Sequence, residues 1–160
     1  MSVSLHRVLD GPRFIALVDA LVALPWPVAH PDIDPALRAV GFAPTADEGV
    51  YHSGLGVSND HVLASSVRTG LSSVGTAVTD VDTNASPQRD AFVQDAFAGL
   101  VRSGIAQWGE PAVRHPGRRP KVVWFAPNGC NVILRASAAA VHVNVQSPEL
   151  GAAARRLQEF

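Results

Sequence analysis

The residues of this sequence whose types could do chemistry are one cysteine, six histidines, an acidic pair and a basic cluster. Cys130 follows a turn glycine. A nucleophilic thiol needs a nearby base or cation that favours the thiolate, and the sequence places no such group beside Cys130. A pocket that gathers Cys130, a histidine and a carboxylate remains an alternative hypothesis, because only the fold decides which residues meet.

The histidines do not have the spacing of a zinc-binding helix motif. If residues 58–60 form the turn of a hairpin, His52 pairs near Ser66 and not near His61. At about 3.3 Å per residue, His52 and His61 would then lie well apart along the two strands. We therefore expect ordinary surface or half-buried histidines and predict no metal site among them.

Asp80 and Asp82 open a pattern that is similar to a calcium-binding loop. Ala85 stands where that loop needs a glycine, so the pattern fails. We expect both carboxylates on the wet face of a strand or at its end. A weak site for a divalent cation and an acidic contact patch are the two alternative interpretations. The sequence predicts no cofactor.

Residues 114–121 form the densest charge cluster, with Arg114, Arg118 and Arg119 among them. Such a cluster can hold phosphate or an acidic partner, but a solvated loop is the more common case and the favoured interpretation. Aromatic side chains that would stack on bases do not interleave it before Trp124, so nucleic-acid binding is not predicted.

Trp26 lies between Pro25 and Pro27, which makes this short segment rigid. One interpretation is a lid over the edge of the core. The other is an anchor for a partner, because tryptophan is enriched at the energetic centres of protein interfaces.

Composition favours one globular domain over residues 1–160, because the chain has 160 residues of which 47% are hydrophobic. Thirteen basic and 14 acidic residues give a net charge of −1, so no global field attracts a polyanion. The apolar run over residues 14–24 is shorter than the roughly 20 residues that span a bilayer, and no secretion signal is evident. We predict a cytoplasmic protein that does not enter membranes.

Hydrophobic periodicity predicts helices over residues 12–24, 31–41, 86–108 and 148–160, and strands over 50–57, 61–68, 73–82, 121–125, 131–135 and 141–146. Ser86 is the expected cap of the long helix, and Asp34 that of the second helix. In residues 141–146 valine alternates with polar residues, which is typical of a strand with one buried face. Asn128 and Gly129 favour a tight turn.

The resulting order is α-α-β-β-β-α-β-β-β-α. It predicts the α+β class, as a two-layer sandwich in which an antiparallel sheet carries helices on one face. The alternative pocket hypothesis places a small enzyme or ligand-binding site between those helices and the sheet.

Three segments carry a resemblance to known families: residues 24–27, 108–111 and 121–149. Through them the chain resembles small bacterial secretion-chaperone-like domains. It also resembles an actinobacterial family of unknown function whose members are often encoded beside secreted toxins. The resemblance implies a binding role.

We therefore expect a non-enzymatic protein-binding domain, an immunity protein that neutralises a cognate bacterial toxin. A chaperone for a secreted protein, which would form a homodimer, is the alternative partner-binding role. The expected partner-binding residues are Trp26, Asp80, Asp82, Arg114, Arg118 and Arg119.

Overall fold

The computed structural model of the protein describes residues 6–160. Within these residues the helices are α1 (Gly11–Val22), α2 (His30–Val40), α3 (Pro87–Trp108) and α4 (Pro148–Leu157). The strands are β1 (Ala43–Pro44), β2 (Val50–His52), β3 (His61–Val67), β4 (Gly70–Ala77), β5 (Val113–His115), β6 (Lys121–Phe125), β7 (Asn131–Ala136) and β8 (Val141–Gln146). The predicted α+β class and order of elements are confirmed, with β1 and β5 added where loops were expected.

The eight strands of the described residues form one antiparallel sheet in the order β1-β2-β3-β4-β8-β7-β6-β5. Each half of the sheet is a four-stranded meander that follows a helix, α2 in the first half and α3 in the second. The halves join where β4 pairs with β8. Because side chains alternate between the faces of a strand, residues that are paired across strands share a face.

Helices α1 and α3 bury one face of this sheet. Val141, Val143 and Val145 of β8 are fully buried there, while His142 and Asn144 between them are partly exposed. The predicted alternation is therefore confirmed. We call the side of the three valines the core face and the side of His142 and Asn144 the open face.

The start of α3 is also as predicted. The Ser86 hydroxyl oxygen accepts a hydrogen bond from the Arg89 backbone N–H at 3.0 Å, which satisfies a donor that the helix itself leaves unpaired. Pro87 occupies the first turn, where its missing N–H costs nothing. No helix of residues 6–160 combines the length and the apolar character that crossing a membrane requires.

The strand predicted over residues 50–57 is wrong beyond His52, where β2 ends. Gly54 and Gly56 have φ angles of 68° and 82°, in the left-handed region that glycine enters without a Cβ clash. The chain therefore leaves the sheet at this point. The connection to β3 is the whole of residues 53–60, and not residues 58–60 alone.

Helix α2 begins at His30, so the predicted cap at Asp34 is wrong. Pro31 already lies in the first turn, where proline is tolerated, and the helix extends towards the N-terminus of the chain as far as His30. The Asp34 carboxylate instead accepts hydrogen bonds from Arg38 Nε at 2.7 Å and from the Tyr51 hydroxyl at 3.2 Å. It thereby ties the helix to β2.

Strand β4 ends at Ala77 and not at Asp82. Residues 78–82 leave the sheet, apart from a single bridge between Thr79 and Val8. The outermost strands β1 and β5 are only two and three residues long. Short edge strands leave few unpaired backbone groups for unwanted pairing with another chain.

Helix α4 contacts the open face at one end of the sheet. Arg155 donates to Asn131 Oδ1 at 2.6 Å and lies over the Phe125 ring at 5.3 Å. Alternation places Asn131 and Phe125 opposite the buried Trp124. Leu157, the last residue of this helix, is 66% exposed.

Candidate functional site

A groove of about 350 Å³ opens between the first turns of α3 and two loops at the same end of the sheet. Arg89 comes from α3, and Arg118 and Arg119 come from the loop between β5 and β6. Asp90 of α3 and Ser137 and Ala138, between β7 and β8, also line it. We call this feature, defined by its three arginines, the arginine groove.

Hydrogen bonds and one glycine fix the loop that carries Arg118 and Arg119. Gln94 of α3 donates from its side-chain amide to the Arg118 carbonyl oxygen at 2.8 Å. Gly117 has a φ of 136°, a conformation that other residues rarely adopt, and so it allows the chain to turn there. The two guanidinium groups are thus presented from a backbone that α3 holds in place.

The three arginines differ in their partners. Arg89 Nη2 lies 3.3 Å from the Asp90 carboxylate, and its side chain is only 11% exposed. Arg118 and Arg119 are exposed, and neither forms an ion pair within residues 6–160. Two guanidinium groups therefore remain available to an anionic group from outside the chain.

A row of basic side chains crosses the open face next to this groove. Lys121 pairs with Arg135, and Arg135 pairs with His142 on the next strand. His115 pairs with Lys121 from the edge strand β5. Cross-strand pairs share a face, so these four residues form one line, which we call the basic row.

The basic row begins close to the arginine groove, because Lys121 follows the loop of Arg118 and Arg119 directly. Like charges directly opposite each other, such as Lys121 and Arg135, destabilise a sheet. Local rules of stability are most often broken where a protein binds something. The geometry therefore favours an anionic ligand surface at this end of the sheet.

The family described as "Family of unknown function (DUF6301)" matches residues 12–147 of the chain. The chain belongs to this family. The match confirms the expectation of a family of unknown function, and it extends from the first turn of α1 to the end of β8. No curated protein and no solved structure matches the chain.

Among the residues expected to contact a partner in this DUF6301 protein, Asp80 is the clearest correction. It is 3% exposed and lies outside any strand, and not on a wet strand face. One carboxylate oxygen accepts from the Arg7 N–H at 2.9 Å and from Arg7 Nε at 3.2 Å, and the other accepts from the Ser58 N–H at 2.8 Å. Burial by itself raises the pKa of Asp80, but these hydrogen bonds outweigh it and lower the pKa below its usual value.

Asp82 is also engaged within the chain. Its carboxylate lies 3.0 Å from His6 Nε2 and accepts the Asn84 N–H at 2.9 Å. The hydrogen bond with His6, followed by that from Asn84, lowers the pKa of Asp82. Its side chain is mostly covered, so the two aspartates do not form the expected exposed acidic patch.

Trp26 and Arg114 lie away from the arginine groove. Trp26 is half-buried against the core, and its indole N–H donates to the Leu21 carbonyl oxygen at 3.2 Å. It lines a hollow with Asn128, at the opposite end of β6 from Arg118 and Arg119. Arg114 is exposed on β5 and pairs with Glu110. Of the six expected residues, the structure brings Arg118 and Arg119 together in one groove.

Cys130 is fully buried. Burial raises the pKa of its thiol, so the protonated form prevails near neutral pH. A thiol in this state is a poor nucleophile, and the hypothesis of a pocket built around Cys130 gains nothing from the structure.

Sequence reasoning missed Arg89 as a member of the groove. The position of Arg89 along the chain gave an indication of this role. Arg89 lies in the first turn of α3, at the same end of the sheet as the loop that precedes β6. The basic row was missed because its members come from four separate strands. Their alignment depends on strand register, which a single sequence does not display.

The prediction that His52 and His61 lie well apart is wrong. They are direct partners in the pairing of β2 with β3, and their ring centroids are 5.9 Å apart. The eight residues 53–60 form the loop, so the register differs from that of a short turn at residues 58–60. Asp60 lies beside both histidines.

Proposed function

We propose that this DUF6301 chain is a non-enzymatic protein-binding domain, and that it neutralises a bacterial toxin by binding an acidic surface of it. One observation carries the proposal: Arg118 and Arg119 are exposed and lack ion-pair partners within residues 6–160, and they line one groove together with Arg89. Such a surface complements clustered carboxylates.

The size of the surface suits a protein partner. From β5 to β8 the basic row crosses three strand spacings, or about 14 Å at about 4.8 Å each. A standard interface buries roughly 800 Å² on each side, which corresponds to a patch about 30 Å across. A patch of that size is wide enough to contain the basic row and leaves space for a polar rim.

The charge balance favours an acidic protein over a nucleic acid. Phosphate backbones attract proteins through many cations and a strong overall field. This chain has a net charge of −1, so its positive surface is local. A local basic patch recognises a local acidic patch and contributes more to specificity and association rate than to overall affinity.

The direct experiment purifies the products of the genes that flank the gene for this chain, and tests the catalytic domain of any toxin among them. Binding is measured by titration calorimetry, and neutralisation by growth of cells that express both proteins. The double variant Arg118→Glu and Arg119→Glu should weaken binding by about 100-fold, which corresponds to roughly 1.4 kcal/mol for each reversed charge. Arg102→Glu, an exposed charge reversal elsewhere on α3, is the matched control and should leave binding unchanged.

Three results would contradict the proposal. The first is a neighbouring toxin that the chain neither binds nor neutralises. The second is equal affinity of the double variant and the wild-type chain. The third is a dimeric chain that binds only the unfolded or targeting segment of its partner. That result would establish the chaperone role instead.

A further inference from the structure

A cluster of potential metal ligands lies on the other half of the sheet, at the neck of the loop between β2 and β3. One ligand atom each from His52, Asp60 and His61 lies within 4.8 Å of the other two. His52 Nδ1 and Asp60 Oδ2 are 3.1 Å apart. The cluster belongs neither to the arginine groove nor to the four residues of the basic row.

The backbone around this cluster is held by hydrogen bonds on both sides of the neck. The Ser53 N–H donates to the Asp60 carbonyl oxygen at 2.6 Å, which closes the loop. The Asn59 side-chain oxygen accepts the His61 N–H at 3.0 Å. Pairing of β2 with β3 sets His52 opposite His61. The three side chains therefore project from a fixed frame, which is what a preorganised site requires.

We propose that His52, Asp60 and His61 bind a divalent transition-metal ion, and that the ion is Zn²⁺. Two imidazoles and one carboxylate are a donor set that Zn²⁺ accepts readily, with a fourth position left to water or to a partner's side chain. Ca²⁺ and Mg²⁺ prefer sites built of oxygen atoms and do not fit two imidazole nitrogens.

The distances are close to those that a bound ion would impose. In a tetrahedral zinc site with bonds of 2.0–2.1 Å, neighbouring ligand atoms lie about 3.3 Å apart. The ligand atoms of His52 and Asp60 already have about this separation. On binding of the ion, mainly the His61 side chain would therefore have to move. The side chains of His52 and Asp60 are 48% and 44% exposed, and His61 is also exposed, so solvent borders each group and leaves room for small rotations.

The simplest competing explanation is a surface ion pair between His52 and Asp60. Such a pair explains their 3.1 Å contact but does not involve His61. Binding of an ion does require His61, because two ligands hold Zn²⁺ much more weakly than three. The two explanations therefore differ in what the loss of His61 does.

The test is calorimetric titration of Zn²⁺ into the full chain, purified without a histidine tag and dialysed against a chelator. We expect one ion per chain with micromolar affinity, and a rise in melting temperature that grows with Zn²⁺ concentration. Loss of a group that only hydrogen-bonds to a metal ligand costs about 10–100-fold in metal affinity. His52→Asn and His61→Asn remove direct ligands, so each should weaken Zn²⁺ binding by at least about 100-fold. Circular dichroism without metal checks that both variants fold.

His115→Asn is the matched control, since His115 is an exposed histidine on the opposite edge of the same sheet. It should bind Zn²⁺ like the wild-type chain. Co²⁺ provides a second measurement, because tetrahedral binding by His52 and His61 gives visible absorption bands that both variants should lose.

Absence of saturable binding would overturn the proposal. So would an affinity that His61→Asn leaves unchanged, or one that His115→Asn lowers equally. Acidification should weaken binding, because protons compete with the metal for the imidazole nitrogens. The double arginine variant should bind Zn²⁺ normally, so the two proposals succeed or fail separately.

Discussion

Gly104 of α3 is the position where one added methyl group should have the clearest effect on stability. The glycine is buried and faces two tryptophans. A Cβ built there would lie 2.6 Å from Trp124 Cζ2, 2.7 Å from Trp124 Cη2 and 3.1 Å from Trp108 Cζ3. Distances under 3.0 Å between such atoms are not tolerated in folded proteins, so Gly104→Ala must displace a ring or the helix.

Both rings are held in place, so neither can yield cheaply. The Trp124 indole N–H donates to the Gly109 carbonyl oxygen at 2.9 Å. The Trp108 indole N–H donates to Asp19 Oδ1 at 3.1 Å. The two rings also pack edge to face, with centroids 5.2 Å apart, and a shift of one ring disturbs the other.

The magnitude follows from two opposing effects. Alanine favours an α-helix over glycine by about 1 kcal/mol. Overpacking of a rigid core costs about 1–3 kcal/mol. Gly104→Ala should therefore lower the free energy of unfolding by about 1 kcal/mol. Gly99→Ala on the same helix gains the helix preference without the clash, because the nearest atom is Arg102 Nη2 at 3.6 Å.

Equilibrium unfolding in urea, followed by circular dichroism, measures both variants against the wild-type chain. The difference between Gly99→Ala and Gly104→Ala isolates the clash, since the helix preference is common to both, and we expect about 2 kcal/mol. Equal stability of the two variants would refute the packing argument. Tryptophan fluorescence provides a second observable, because displacement of Trp124 should shift its emission.

Asp80→Ala should lower the free energy of unfolding at neutral pH by about 2 kcal/mol, because it removes a buried carboxylate that accepts the partly buried N–H groups of Arg7 and Ser58. Denaturant unfolding measures this loss. In the wild-type chain the pKa of Asp80 is lowered, so its contribution is full above the unfolded value of about 3.9 and disappears as pH falls through the folded pKa. His142→Gln should reduce the loss of stability between about pH 7.5 and about pH 5. Burial, and then the Arg135 guanidinium, lower the pKa of His142. The stability of the wild-type chain should therefore fall as pH drops below the unfolded value of about 6.5. Parallel pH profiles of the variant and the wild type would contradict this explanation.

Short-range patterns predicted the second half of the sheet well. The turn at Asn128 and Gly129 is present, with a φ of 96° at the glycine and a hydrogen bond of 2.9 Å from the Ala126 N–H to the Cys130 carbonyl oxygen. A tight turn fixes register within a few residues. The strict alternation of β8 could then be assigned to the core face directly from the sequence.

The first half of the sheet was harder because its hairpin has a long loop. A flexible connection costs little more when it is lengthened, so the sequence of residues 53–60 does not fix where pairing resumes. A turn of residues 58–60 alone would place His52 opposite Ser66. The structure places it opposite His61.

The role of Asp80 was not predictable for a related reason. Its main partner, Arg7, lies 73 residues earlier in the chain. A charged residue is expected on the surface unless its partners are known, and long-range partners are set by the fold. Within residues 6–160 the side chains of Arg118 and Arg119 have no such long-range partner, and both lie on the surface, where a charged residue is expected.

Strand register determines both proposed sites at once. His52 and His61 form one part of a cross-strand line on the open face, and Ala77, His142 and Arg135 continue it. Side chains alternate with a period of two, so a slip of one residue between β2 and β3 would turn His52 away from His61 and towards the core face. A histidine there would need a buried partner, while the adjoining apolar residues would become exposed. The apolar residues that fix the core thus also hold the two histidines opposite each other, and the hydrogen bond from the Ser53 N–H to the Asp60 carbonyl oxygen brings the third ligand beside them.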